Sequence, residues 1–203
     1  MMDNTLRRVK DVVYAPVARR IGSTLKPTTI TLIAGGVGLL AAVAAWQGMY
    51  GVGLILWWLN RALDGLDGAV ARASGQQSDL GGYIDTLVDF AMYSVIPVGL
   101  ALHAPTVELL LALAFMLATF YINAAAFLYL SAILERRRLG AKQRGELTTI
   151  HMPKGLIEGV ETVIFYSLFF VLPQFLGTLF VILGVLVIFT TLQHVVWASR
   201  NLR

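Results

Sequence analysis

Residues 64–89 read DGLDGAVARASGQQSDLGGYIDTLVD, and they place several charged side chains inside a chain that is otherwise strongly apolar. A charged side chain at the centre of a bilayer costs at least about 3 kcal/mol. Several such charges close together need a water-filled cavity or bound cations to balance them. We therefore take this stretch as the candidate functional site. Its charged members of interest are Asp64, Asp67, Arg72, Asp85 and Asp89.

The composition predicts an all-α integral membrane protein. Of the 203 residues, 57% are apolar and only 14% are charged, whereas about a quarter of the residues in a soluble domain are charged. A membrane-spanning helix needs about 20 mostly apolar residues, so the chain has room for about six spans and for no separate soluble domain. The chain has no cysteine, which excludes disulfides and thiolate chemistry. We expect contact with membrane lipids and no nucleic-acid partner.

Apolar runs and their breakers predict six transmembrane helices within residues 28–203. Residues 1–27 precede them and mix basic with apolar residues at a spacing that favours an amphipathic helix on the membrane surface. A disordered basic leader is the alternative for this segment. We expect residues 1–203 to form one membrane domain. The predicted spans are 28–48, 50 into the acidic stretch, 82–102, 106–134, 155–172 and 175–197, with a turn at 74–82 and a polar connection at 135–154.

The distribution of basic residues predicts the orientation of the chain. The sixteen Lys and Arg residues lie before the first span, in the connection 135–154 and at the C-terminus, apart from Arg61 and Arg72. Basic residues accumulate on the cytoplasmic side of a membrane. Both termini, the turn at 74–82 and the mouth of the acidic stretch are therefore predicted to face the cytoplasm, in a multi-pass protein of the cell membrane.

The aspartates form two pairs whose spacing suits metal binding. Asp64 and Asp67 are three residues apart, and Asp85 and Asp89 are four apart, so each pair projects from one face of a helix. A short turn joins the two helices, which allows the pairs to face each other. Four carboxylates this close need cations between them, and oxygen-only ligation suits Mg²⁺ or Mn²⁺. We predict a centre of two such ions.

The same residues carry a family resemblance. The pattern D-x2-D-G-x2-A-R-x8-G-x3-D-x3-D is matched at every position, and it resembles the signature of the CDP-alcohol phosphotransferases. The six-span layout also resembles that family, so the likeness covers essentially the whole chain. The matching residues are Asp64, Asp67, Gly68, Ala71, Arg72, Gly81, Asp85 and Asp89.

The resemblance implies an enzyme that transfers a phosphatidyl or other substituted phosphate group. The donor would be a CDP-alcohol, for which we expect CDP-diacylglycerol; the acceptor would be the hydroxyl of a small polar alcohol, and CMP would be released. The four aspartates would hold two divalent cations, and Asp89 would also be the general base. The resemblance further implies a homodimer. The residues expected to contact the CDP group are Gly68, Ala71, Arg72, Ser78, Gly81 and Thr31.

The sequence does not identify the acceptor alcohol. Glu158 and Glu161 lie within the apolar fifth span and could bind hydroxyl or amine groups if that span joins the cavity. Arg144 and Lys154 in the basic connection 135–154 are further candidates, although topology alone also predicts basic residues there. Glycerol phosphate, inositol phosphate, serine and other polyols remain open.

Two other functions fit part of the pattern. A membrane prenyltransferase also binds a diphosphate through magnesium, but the D-G-x2-A-R core is not typical of that class. A divalent cation transporter could use the aspartates as its ion site. Arg72 beside the cation path and the lack of a repeated half argue against a transporter.

Overall fold

The computed structural model describes residues 25–137 and 155–202, together with Tyr14, Pro16, Ala18 and Arg20. Over these residues the secondary structure is helical, without a β-strand. The helices are α1 (Pro27–Trp46), α2 (Tyr50–Ser74), α3 (Asp79–His103), α4 (Val107–Arg136), α5 (Gly159–Val171) and α6 (Leu176–Asn201), with a 3-10 turn at Pro173–Phe175 before α6. The predicted all-α class is confirmed, and the predicted spans agree with these helices to within about one helical turn.

In the part of the chain that the structure describes, four segments are long and apolar enough to cross a membrane: α1, α3, α4 and Pro173–Asn201. Helix α5 is apolar but has only 13 residues. Helix α2 has 25 residues but carries the charged side chains of the acidic stretch. Six membrane crossings therefore stay a prediction. The predicted surface helix in residues 1–27 falls mostly outside the described residues.

The turn between α2 and α3 is shorter than the predicted turn at 74–82. Gly75 ends α2 with φ of 66°, a left-handed conformation that glycine adopts without steric cost. The Ser78 hydroxyl oxygen accepts a hydrogen bond from the Gly81 N–H group at 3.1 Å, which caps α3. Because of this cap, α3 begins at Asp79, earlier than predicted.

The described residues divide into two compact units. One contains α1, α2, α3 and Tyr166–Pro173, and the other contains α4, residues 159–165 of α5, and α6. Helix α1 packs against both α2 and α3 in the first unit, and α4 packs against α6 in the second. The single domain predicted for residues 1–203 stays a prediction.

Helices α1 and α3 approach each other closely at Gly99. A methyl group on Gly99 would lie 2.4 Å from the Ala42 carbonyl oxygen, so only glycine allows this backbone contact. Further along the same interface, a methyl group on Gly38 would overlap the Met92 sulfur atom. Small residues thus let the two helices pack with their backbones nearly in contact, as is typical of membrane helices.

Gly99→Ala should destabilise the protein, because the added methyl group would force α1 and α3 apart. Overpacking of this kind costs about 1–3 kcal/mol. We expect the detergent-purified variant to unfold at a lower temperature than the wild type, as followed by circular dichroism. Gly36→Ala is the matched control, since a methyl group there meets no atom within 4 Å. Equal melting temperatures for Gly99→Ala and the wild type would contradict the close contact.

Candidate active site

The four predicted metal ligands form one cluster between α2 and α3. Asp64 and Asp67 lie in the second half of α2, and Asp85 and Asp89 lie in the first half of α3. The Asp64 carboxyl group interacts electrostatically with that of Asp89, and Asp85 interacts electrostatically with Asp67 and Asp89. The structure therefore brings together the two pairs that the sequence placed on separate helices.

Arg61 lies among these carboxylates. Its Nη2 atom is 2.9 Å from Asp89 Oδ1, and its Nη1 atom is 3.7 Å from Asp64 Oδ2. Arg61 Nη2 and Asp89 Oδ1 are both buried and have no well-oriented hydrogen bond, so their contact is an ion pair. The only signal for this role in the sequence is weak: a basic residue lies inside a predicted span, about one helical turn before Asp64.

Thr31 supports Asp67 from the neighbouring helix α1. Its hydroxyl group donates a hydrogen bond to Asp67 Oδ2 at 2.5 Å, and the two residues are 4% and 5% exposed. The sequence predicted a nucleotide contact for Thr31, which stays a prediction. The structure adds a role in orienting the Asp67 carboxylate, which requires a cross-helix distance that the sequence does not contain.

The other predicted CDP-binding residues lie on the last turns of α2 and at the start of α3. A methyl group on Gly68 would lie 3.1 Å from Arg72 Nη1, so the Arg72 side chain runs back along α2 over Gly68. Ala71 is half-buried beside it. Ser78 and Gly81 form the cap of α3, which gives both a structural role in addition to the predicted one.

The acceptor candidates are described only in part. Arg144 and Lys154 lie outside the described residues. Glu158 Oε1 accepts a hydrogen bond from the Gly155 N–H group at 3.0 Å, and Glu161 Oε2 accepts one from the Glu158 N–H group at 3.1 Å. Both carboxylates thus satisfy backbone donors at the start of α5, which is a frequent use of acidic residues at helix N-termini.

Tyr14 reaches the same side of α2 from the N-terminal segment. A methyl group on Gly65 would lie 3.1 Å from the Tyr14 ring, and Tyr14 packs against a small buried cluster that includes Ala18 and Ile30. Burial and then the negative charge of Asp64 raise the pKa of the Tyr14 phenol. Part of the N-terminal segment therefore covers α2 beside the aspartates, which the sequence did not indicate.

The donor set fits divalent cations. It consists of carboxylate oxygens, which Mg²⁺ and Mn²⁺ prefer, and the buried Asp89 Oδ1 atom has no hydrogen bond beside its ion-pair contact with Arg61. Within residues 25–137 and 155–202, no three acidic or histidine side chains already stand in a metal-binding arrangement. Ion binding would therefore require these carboxylates to shift their rotamers.

Comparison with known proteins identifies the family. Residues 24–197 match the CDP-alcohol phosphatidyltransferase family model. The inner membrane protein YnjF of Escherichia coli is 31% identical over 200 residues, which cover 98% of this chain and 95% of that protein. This chain therefore belongs to the CDP-alcohol phosphatidyltransferase family. The enzyme class predicted from the resemblance is therefore confirmed: the chain is a transferase and an integral membrane protein. The comparisons favour neither the prenyltransferase nor the transporter.

More distant relatives share parts of the sequence or the fold. Archaetidylinositol phosphate synthase of Pyrococcus horikoshii is 36% identical over 103 residues, which are 48% of this chain and 54% of that protein. The fold resembles that of Mycobacterium tuberculosis phosphatidylinositol phosphate synthase with CDP-DAG bound, at a TM-score of 0.70 and 22% identity over 90% of this chain and 92% of the other. The same enzyme in complex with manganese and citrate gives a TM-score of 0.69, with 22% identity and coverage of 91% and 88%.

Thr31→Val should weaken metal binding, because the Asp67 carboxylate would lose the hydroxyl that orients it. Loss of such a supporting hydrogen bond typically reduces metal affinity about 10- to 100-fold. Titration of the purified protein with Mn²⁺, with free Mn²⁺ followed by electron paramagnetic resonance, measures the change. Thr31→Ser keeps the hydroxyl group and should bind Mn²⁺ nearly as the wild type does. If Thr31→Val retained wild-type affinity, the orienting role would be rejected.

Proposed function

We propose that this enzyme transfers a phosphatidyl group from CDP-diacylglycerol to the hydroxyl of a small polar alcohol and releases CMP. The observation that carries the proposal is the cluster of four carboxylates on adjacent helices. Gly68 and Arg72 lie beside this cluster and suit a diphosphate. The Mycobacterium tuberculosis enzyme of the same fold was solved with CDP-DAG bound, which supports this choice of donor.

Two divalent cations, Mg²⁺ or Mn²⁺, held by Asp64, Asp67, Asp85 and Asp89, would neutralise the diphosphate and stabilise the negative charge on departing CMP. A solved structure of this fold in complex with manganese supports Mn²⁺ as one of the choices. Thr31 would hold Asp67 in its binding orientation through the hydrogen bond described above.

The protein groups supply orientation and proton transfer. Gly68 has no side chain, so a diphosphate can approach the α2 backbone there, and the Arg72 guanidinium can pair with phosphate oxygens. Ala71, Ser78 and Gly81 would complete the CDP-binding surface. The acceptor oxygen forms a bond to the phosphatidyl phosphorus while the bond from that phosphorus to the CMP oxygen breaks.

Asp89 is the proposed general base. Its carboxylate accepts the proton of the acceptor hydroxyl as the new oxygen–phosphorus bond forms, which avoids a positively charged oxygen in the transition state. Asp89 is 30% exposed on its side chain, so a proton on it can be lost to solvent after the transfer. Because Asp89 lies beside Asp64, it could bind an ion together with Asp64 and also accept the proton.

The membrane arrangement follows from the charge distribution. We propose six membrane crossings with both termini and the mouth of the site on the cytoplasmic side, because fourteen of the sixteen basic residues lie in segments assigned to that side. The nucleotide part of a CDP-linked lipid is polar and its acyl chains are apolar. The nucleotide can therefore enter the site from the cytoplasm while the acyl chains stay in the bilayer. A homodimer is proposed only on the family resemblance.

Release of CMP tests the reaction. Purified enzyme, labelled CDP-diacylglycerol and Mn²⁺ should give CMP only when a suitable alcohol is added, and chelation by EDTA should abolish the release. A panel of glycerol phosphate, inositol phosphate, serine and other polyols then identifies the acceptor. Should no member of the panel elicit CMP from a folded, Mn²⁺-binding preparation, the proposed donor and acceptor classes would be wrong.

Asp89→Asn should reduce turnover by about 10²–10⁴-fold, the usual contribution of a general base. Donor binding should change little, because three carboxylates remain. Turnover is measured by CMP release, and donor affinity is measured by titration with CDP-diacylglycerol. Asp79→Asn is the matched control, since Asp79 is an exposed residue at the start of the same helix. Wild-type turnover in Asp89→Asn would remove this residue from the mechanism.

The acceptor site is proposed at Glu158 and Glu161, with Arg144 and Lys154 as further candidates. Glu161→Gln keeps an oxygen that can accept the backbone hydrogen bond at the start of α5, while it removes the charge. If Glu161 binds the acceptor, this variant should raise the KM for the acceptor and leave the KM for the donor unchanged. If Glu161 serves only as a cap, both KM values should stay at the wild-type level.

A further inference from the structure

Arg61 is a buried cation at the centre of the carboxylate cluster. Its side chain is 9% exposed, and it stands within ion-pair distance of both Asp64 and Asp89, which belong to different helices. A buried guanidinium group is stable only when it is paired, and the same holds for a buried carboxylate. The three groups therefore satisfy one another.

Neighbouring side chains fix the position of the guanidinium. Arg61 Nε donates a hydrogen bond to Asn60 Oδ1 at 2.8 Å, and Nη1 donates one to the Tyr93 hydroxyl at 3.3 Å. The guanidinium carbon lies 4.8 Å from the centre of the Trp57 ring and 5.4 Å from that of Tyr93. These are favourable cation–π distances, so Arg61 has two aromatic faces in addition to its carboxylate partners.

The support extends to the rest of the first unit. Asn60 is fully buried, and its amide group donates a hydrogen bond to the Ala34 carbonyl oxygen on α1 at 2.7 Å. Tyr166 stacks on Trp57 with ring centres 5.2 Å apart, and its hydroxyl donates to the Tyr93 carbonyl oxygen at 2.5 Å. Arg61 is thus held by residues that are themselves fixed, which leaves the carboxylates as the partners that can move.

We propose that Arg61 is the internal counter-ion of the aspartate cluster. It balances Asp64 and Asp89 when no divalent ion is bound, and it positions Asp89 for its function. This inference rests on the proposed function only in taking the aspartates as metal ligands. Because Arg61 is a cation, it also opposes the binding of divalent ions, so the free energy gained from those ions is smaller than it would be without Arg61. Arg61 is a positioning residue, since it acts through Asp89 and Asp64.

Arg61→Met tests the proposal, because it keeps much of the side-chain length and removes the charge. In EDTA, the melting temperature of the detergent-purified variant should fall by about 10 °C, as expected when one member of a buried ion pair is lost. Added Mn²⁺ should restore most of this loss, so the Mn²⁺-induced shift should be larger in the variant than in the wild type. Arg136→Met is the matched control, since Arg136 is exposed near the end of α4 and its loss should change neither value.

A double variant separates charge balance from packing. Arg61→Met combined with Asp89→Asn removes both members of the pair, so in EDTA it should melt at a higher temperature than Arg61→Met alone. Equal losses in EDTA and Mn²⁺, with no recovery in the double variant, would show that Arg61 only fills space against Trp57 and would overturn the proposal.

Two further variants cover the case in which Arg61→Met does not fold. Asp89→Asn should then be more stable in EDTA than the double variant, because Arg61 still pairs with Asp64 in the single variant, whereas Asp64 has lost its counter-ion in the double variant. Equal stability of the two would contradict the proposal. Arg61→Lys keeps the charge but cannot reach two carboxylates at once, and its Mn²⁺-induced shift should stay close to that of the wild type; a much larger shift would contradict the proposal. Since melting temperature is measured and not CMP release, a wrong donor or acceptor would leave these outcomes unchanged.

Discussion

The structure depends on a balance of charge between α2 and α3. Four carboxylates can remain in an apolar, helical membrane protein only if positive charge stands among them, because each unpaired charge at that depth would cost several kcal/mol. Arg61 provides one such charge through its ion pairs with Asp64 and Asp89. Arg61 does not balance the rest of the carboxylate charge, so the cluster would attract further cations.

Helix packing serves this cluster directly. Helix α1 contributes no acidic ligand, but it carries Thr31, whose hydroxyl contacts Asp67, and Ala34, whose carbonyl oxygen fixes Asn60. These contacts require α1 to lie close to α2. The glycine contact between α1 and α3 at Gly99 belongs to the same three-helix arrangement, so a change in packing far from the aspartates can alter their geometry.

Local features of the sequence predicted most of the fold, and contacts between helices account for what was missed. Apolar runs and their breakers predicted the helices, because both signals lie within a few residues of the boundary. The spacing of the aspartates predicted their pairing, since helical periodicity alone puts each pair on one face. The roles of Arg61 and Thr31 depend on distances between helices, and the capping by Glu158 depends on the conformation of the chain before α5. None of these appears as a pattern in one sequence.

The two arginines of α2 show how one helix can separate two electrostatic tasks. Arg61 and Arg72 are eleven residues apart, which is about three turns and about 16 Å along the helix axis, so they share one face of α2 with the first aspartate between them. Arg61 is enclosed by aromatic rings and paired with carboxylates, so its contacts are with the protein itself. Arg72 lies over Gly68 near the end of α2, where the chain turns towards α3. A diphosphate that enters at this end would meet Arg72 first and the carboxylates next, so the order of charges along α2 suits the proposed anionic donor.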